Sequence, residues 1–122
     1  MDIISSFSVT KKESTEKSEN IISDILAQGE SIEFAYSHIR DKVWFTNKRI
    51  IAMDVQGITG KKREFRSFPY SKISSFSIET AGTFDGDSDF KIWISGVGLF
   101  EIKFLRSIDI KEVAKYMGSK CL

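Results

Sequence analysis

One cysteine, one proline and one histidine stand among the 122 residues. A lone cysteine, Cys121, makes no internal disulfide, so it points to a reducing compartment or to indifference to redox state. A lone histidine, His38, excludes multi-histidine metal centres. The scarcity of proline suits a chain that needs its backbone donors for sheet ladders. No apolar run is long enough to span a bilayer. The start, Met1-Asp2-Ile3-Ile4, lacks a basic segment and a long apolar stretch, and it offers no glycine for myristoylation. A soluble cytoplasmic protein is expected.

Net charge is also small, at +1, which excludes a uniformly basic nucleic-acid binder. It hides an asymmetry. Residues 40–72 hold nine basic and three acidic side chains, whereas residues 1–30 hold three basic and six acidic ones. A local excess of this kind makes a potential patch despite a neutral total. The 10 phenylalanines and the 41% apolar content describe an ordinary globular core. The length fits one domain that buries roughly two-thirds of its unfolded surface.

Residues 1–14 read as a loosely docked arm and residues 15–122 as a single domain. Thr10 and Glu13 have the spacing of a capping box, and Ile21, Ile22, Ile25 and Leu26 share one helical face. A helix that starts anywhere from Lys11 to Glu19 is expected to end near Gln28, before Gly29. The period then changes to two. Strands are expected at Ile32–His38, Val43–Thr46, Ile50–Val55, Arg63–Phe68, Ile73–Thr80, Phe90–Ile94 and Phe100–Phe104. A last helix starts at Asp109, with Glu112 completing a capping box and Ile110, Val113, Ala114 and Met117 as its stripe. Seven short strands with helices before and after them make a mainly β sandwich or barrel.

No catalytic, cofactor-binding or metal-ligating set emerges. His38 ends a strand without an evident acid partner. Ser95-Gly96-Val97-Gly98 precedes a strand, where a nucleophile elbow needs a helix. Gly57-Ile58-Thr59-Gly60-Lys61 lacks the Walker spacing. Asp85-Gly86-Asp87-Ser88-Asp89 alternates carboxylates as calcium loops do, but Phe90 stands where such a loop needs glycine. A solvated acidic loop accounts for it; the alternative is a weak cation site.

Two surface features remain. Strand alternation brings the 40–41 turn and the 56–62 loop to one end of a sheet. Arg40, Lys42, Lys61, Lys62 and Arg63 then form a candidate site for phosphates or anionic headgroups. The plainer account is loop charge that keeps the edge solvated. Trp44 and Trp93 fall on the face opposite the main apolar alternation, so either a helix or another subunit covers them.

Several blocks together resemble the bacterial pleckstrin-homology domain family. They are Phe45-Thr46-Asn47-Lys48-Arg49-Ile50-Ile51, Gln56-Gly57-Ile58-Thr59-Gly60-Lys61-Lys62 and Pro69-Tyr70. Phe76-Ser77-Ile78-Glu79-Thr80-Ala81-Gly82-Thr83-Phe84-Asp85 and Lys91-Ile92-Trp93-Ile94-Ser95-Gly96 complete them. The resemblance spans about residues 15–120. It implies seven antiparallel strands in two near-orthogonal sheets, a partly open barrel capped by the C-terminal helix. It also implies homo-oligomeric rings, which makes Trp44 and Trp93 candidate interface residues and a second protein the expected partner. It does not imply phosphoinositide binding. The first hairpin turn, Arg40-Asp41, is short, and Asp41 repels phosphate. A membrane lipid is therefore the less favoured ligand and nucleic acid is not expected.

Overall fold

The computed structural model describes residues 3–82 and 86–121. The elements run β1 (Ile3–Val9), β2 (Lys11–Glu13), α1 (Thr15–Ile22), β3 (Ile32–His38), β4 (Asp41–Thr46) and β5 (Arg49–Gln56). Then come β6 (Lys62–Pro69), β7 (Ile73–Thr80), β8 (Ser88–Ile94), β9 (Gly98–Phe104) and α2 (Ile110–Cys121). They form a five-stranded sheet, β2-β3-β4-β5-β6, and a four-stranded sheet, β1-β9-β8-β7. Strands β3 to β9 are the seven expected from alternation, with β7 matching residue for residue. Among the described residues no helix is long and apolar enough to cross a membrane.

The segment read as an arm supplies two further strands. β1 runs parallel to β9, with Phe7 beside Ile102 and Val9 beside Phe104. β2 pairs antiparallel with β3. Between them Thr10 donates its N–H to the Ser37 carbonyl at 2.9 Å, so this one segment links the two sheets. The expected capping box at Thr10 and Glu13 is corrected by this pairing. Glu13 lies in β2 and accepts from the Ser37 hydroxyl. Ser14 caps α1 instead, accepting from the Lys17 N–H.

The inward faces of both sheets share one core. Val43, Phe45, Ile50 and Ala52 meet Phe90, Ile92, Phe100, Ile102 and Phe104, and α2 closes the end with Ile110, Val113 and Met117. The phenylalanine excess lies here: Phe68 and Phe100 sit 4.5 Å apart, and Tyr36 stands edge-on to Phe104. At α2, Asp109 caps through its side chain, accepting from the Lys111 N–H. Glu112 does not complete the box. Its carboxylate accepts from the Tyr36 hydroxyl at 3.1 Å and from Lys12 at 2.7 Å, tying α2 to the five-stranded sheet and β2.

A second, smaller core covers the outer face of the five-stranded sheet. Ile22 of α1 packs on Ala35, Trp44, Ile51 and Met53, with Ile21 and Leu26 beside it. Ile32 joins this side because the pairing of β3 shifts register between Ile32 and Phe34, reversing its face relative to simple alternation. An eight-residue helix has no stability of its own, so packing must hold α1 in place.

The anchor is polar. After a 3-10 turn at Ser23–Ile25, Glu30 turns back into the sheet, and its side chain is fully covered. It accepts two bonds from Arg49, from Nε at 2.8 Å and from a terminal nitrogen at 2.9 Å. The Thr46 hydroxyl at 2.6 Å and the Ala27 N–H at 2.9 Å complete its shell. Arg49 also donates to the Ile25 carbonyl at 2.7 Å. Burial alone would raise the Glu30 pKa. The bonds from Arg49, Thr46 and Ala27, with the Arg49 charge, outweigh it and hold the carboxyl at about 2, below its ordinary 4.5.

Because the folded-state value is the lower one, this stabilisation is fully present above pH 4.5 and fades as pH falls toward 2. Arg49→Met leaves Glu30 buried without its counter-charge. It is expected to cost about 3 kcal/mol in urea unfolding at pH 7 and to weaken the dependence of stability on pH in that acid window. An unfolding midpoint unchanged by the substitution contradicts the anchoring role.

Candidate functional site

The structure joins the two expected loops at one end of the five-stranded sheet. The turn between β3 and β4 holds Ile39 in the left-handed region, at φ 47°, with its side chain 84% exposed. Arg40 then reaches across and donates to the Gly57 carbonyl at 2.8 Å. The loop that it meets turns through Gly57 and Gly60, both at positive φ. A Cβ on Gly60 would lie 3.1 Å from the Arg40 guanidinium, so the bare glycine makes room for this contact. Ile58, at the loop tip, is fully exposed.

The five candidate basic residues divide. Lys61 and Lys62 follow the loop directly and are exposed, so they lie at the same end as Arg40. Arg63 pairs with Val55, which packs against the α1 core, and so stands on that outer face at the sheet edge. Lys42 does not join them. It shares the face of Trp44 and its charge acts on Glu13 of β2. There the Ser37 bond, opposed by burial and aided by Lys11 and Lys42, lowers the Glu13 pKa.

Acidic groups temper this end. Asp41 is half-buried, and burial first, then the charge of Asp54, raises its pKa. The Val55 N–H and the charges of His38 and Arg40 act the other way. The loop end therefore combines two exposed isoleucines, three basic side chains and a carboxyl set just inside.

The two tryptophans have different fates. Trp44 is completely buried beneath α1, which corrects its assignment as an outward interface residue. The helix, and not another subunit, covers it. Its indole Nε1 has no hydrogen-bond partner among the described residues. Trp93 stays half-buried on the outer face of the four-stranded sheet, between Ser75 of β7 and Leu99 of β9.

Neither His38 nor Cys121 is set up as a nucleophile or base. His38 Nδ1 lies 3.3 Å from the Thr10 hydroxyl, a structural contact. Burial pushes the Cys121 thiol up, the reverse of activation. Among the described residues no group of three or more His, Cys, Asp and Glu side chains is placed to hold a metal. In the acidic loop Asp85 lies outside the described residues, and Asp87 accepts from the Arg106 N–H at 2.8 Å.

Four strands end the two sheets, β2 and β6 in the five-stranded one and β1 and β7 in the four-stranded one; β6 and β7 are the longest of them, at eight residues each. Sequence alternation located both strands but carried no information on sheet order, so their free edges were not legible from it.

Comparison with known proteins places these features in context. Residues 3–121 match the family model described as bacterial PH domain. The uncharacterized protein YjqA of Bacillus subtilis (strain 168) is 48% identical over 103 residues, covering 83% of this chain and 82% of that one. The uncharacterized protein YozO of the same organism is 38% identical, over 88% of this chain and 89% of its own. A crystal structure of a DUF1696 family protein with a pleckstrin-homology domain, from Shewanella loihica PV-4, superposes with a TM-score of 0.82. Its identity is 37%, over 91% of this chain and 96% of that one. A pleckstrin homology domain from Shewanella amazonensis SB2B gives a TM-score of 0.72 and 39% identity, over 90% of each chain.

The Arg40 contact is the tie between the two loops. Arg40→Ala is expected to speed amide exchange across residues 57–60 several-fold while lowering global stability by less than about 1 kcal/mol, because the bond is solvent-exposed. Unchanged exchange in that loop would show that the loop holds its own shape.

Proposed function

The chain belongs to the bacterial PH domain family, and we propose that it is a non-catalytic cytoplasmic module that assembles with copies of itself into a closed ring and offers that ring to another protein. One observation carries this reading: among the described residues the eight-residue edge strands β6 and β7 have no partner strand on their outer sides. The inner faces of both sheets are spent on the core, and α1 takes up much of the outer face of the five-stranded sheet. Edges, loops and the Trp93 face remain for recognition. A free edge binds by main-chain hydrogen bonds, which gives affinity without a pocket. The unactivated thiol and the structural contact of His38 accord with a role in binding.

A second reading rests on the loop end. Arg40 fastens the β3–β4 turn to the β5–β6 loop, and Ile39 and Ile58 project beside Arg40, Lys61 and Lys62. This is a geometry for an anionic surface, where apolar tips enter and cations meet phosphate. Asp41 and Asp54 oppose it, so assembly is the stronger of the two.

Light scattering at micromolar concentration is expected to give a mass several times that of one chain. A single-chain mass removes the assembly reading. For the loop end, vesicles with acidic lipid are expected to retain the chain at low salt and release it at high salt, with Lys61→Glu plus Lys62→Glu abolishing retention. Retention that ignores salt or survives the double substitution removes the second reading.

A further inference from the structure

Helix α1 is fastened beyond its ends more than along its length. Before it, β2 pairs with β3 as far as Glu13 opposite Ala35. After it, Arg49 holds the Ile25 carbonyl at 2.7 Å and the Glu30 carboxylate at 2.9 Å. Between these fastenings the helix fully buries only Ser18 and Ile22. Its backbone leaves helical geometry at Ile22, at φ −116° and ψ 6°, and tightens into the 3-10 turn Ser23–Ile25, a form that recurs at hinges. At the other end Ser14 is extended.

The helix is also a poor match for what it covers. The Trp44 indole N–H is fully buried and, among the described residues, without an acceptor, which costs free energy that a bonded donor does not lose. Ser18 is the polar group on the buried side of α1. It donates to the Ser14 and Thr15 carbonyls of its own first turn, at 3.0 and 3.3 Å, and such back-bonding weakens a helix slightly.

The face beneath has room to spare. Beyond the Trp44 cluster Val55 is half-buried, and Phe65, opposite Met53, is 37% exposed. Lys42 and Arg63 stand on the same face, opposite Met53 and Val55. The helix that now lies there carries Glu16 and Glu19 against one base, Lys17.

We propose that α1 is a strap that unwinds and lifts while both fastenings hold, and that the face around Trp44 then receives an acidic amphipathic helix of a partner protein. Unwinding supplies the slack, because eight residues that span about 12 Å as helix reach about 27 Å when extended. The entering helix replaces the contacts of Ile21 and Ile22, continues over Val55 and Phe65, and turns its acids toward Lys42 and Arg63. It also brings Trp44 the acceptor that α1 lacks. α1 is thus a resident occupant, held well enough to keep the face closed and badly enough to be displaced. This names a surface for the second protein and holds whether or not copies assemble.

Hydrogen exchange of the full chain tests the strap. Amides of residues 16–22 are expected to exchange about a hundredfold faster than those of β4, since the strap opens without global unfolding. One common rate for both overturns the proposal. Tryptophan emission tests the face. In a Trp93→Phe background it reports Trp44 alone, and Ile22→Asp is expected to hold the strap open and shift the emission to the red. A circular-dichroism melt confirms that the sheets remain folded, and Ile22→Ala replaces the acidic variant if they do not.

The probe is a synthetic peptide of residues 14–28 carrying Ser18→Gln, cross-linked between the solvent-facing positions 16 and 20 to keep it helical. It is expected to return the emission to the blue and to bind the opened variant about tenfold more tightly than the wild type, whose own strap competes. The same peptide with Ser18 kept is expected to bind about fivefold more weakly, because it leaves the indole unmet. Absence of binding, or equal binding to the opened and wild-type chains, overturns the docking face. Tighter binding of the Ser18 peptide shows that the face is made for α1 itself, whether from the same chain or from a second copy, and overturns the partner helix.

Discussion

Thr46 is the point on which the structure turns. This fully buried residue ends β4. Its hydroxyl donates to Glu30 and receives the N–H groups of Lys48 and Arg49. Its carbonyl accepts from Tyr70 at 2.7 Å and from Tyr116 at 2.8 Å. One residue thereby ties the segment before β3, the β4–β5 turn, the 3-10 turn after β6 and α2 to each other. Burial raises the pKa of both tyrosines, so they remain neutral donors across the physiological range.

That knot decides what surface is left. With Glu30 and Arg49 clamped beside it, α1 must lie on the outer face of the five-stranded sheet. Trp44, Ile51 and Met53 are consumed as core. With α1 in place, a sheet covered on both faces recognises partners by its rim. The rim here includes the β2 and β6 edges, the β1 and β7 edges of the companion sheet and the loop end around Arg40. The functional readings follow from an internal constraint, since the fold has already used its largest apolar faces.

Much of this was legible in residue order, and the failures have physical causes. β7 was readable because Phe76 and Ile78 alternate with polar residues in a run that lies between a proline turn and a glycine loop. The fate of Trp44 was also open to reading. Val43, Trp44 and Phe45 are apolar on consecutive positions, the pattern of a strand covered on both sides. The parity that buries Trp44 likewise carries Lys42 away from the basic loop. Other features had no local signal. The partner of Glu30 lies 19 positions away on Arg49. β1 carries alternating Phe7 and Val9, yet nothing nearby announces a strand partner at the opposite end of the chain. Free edges are properties of sheet order, which no window of sequence contains.

The parallel pairing of β1 with β9 bears on how the chain reaches this structure. Nearly the whole sequence lies between Phe7 and its neighbour Ile102. During synthesis the first strand leaves the ribosome early and waits until almost every other element has emerged. Its closure spans a very long loop and contributes heavily to contact order, which slows folding. Its composition suits the wait. Ser5, Ser6 and Ser8 interrupt the apolar positions, so the waiting segment is a poor template for premature aggregation. The strand that stitches the two sheets together is thus parted from its partner by most of the intervening sequence.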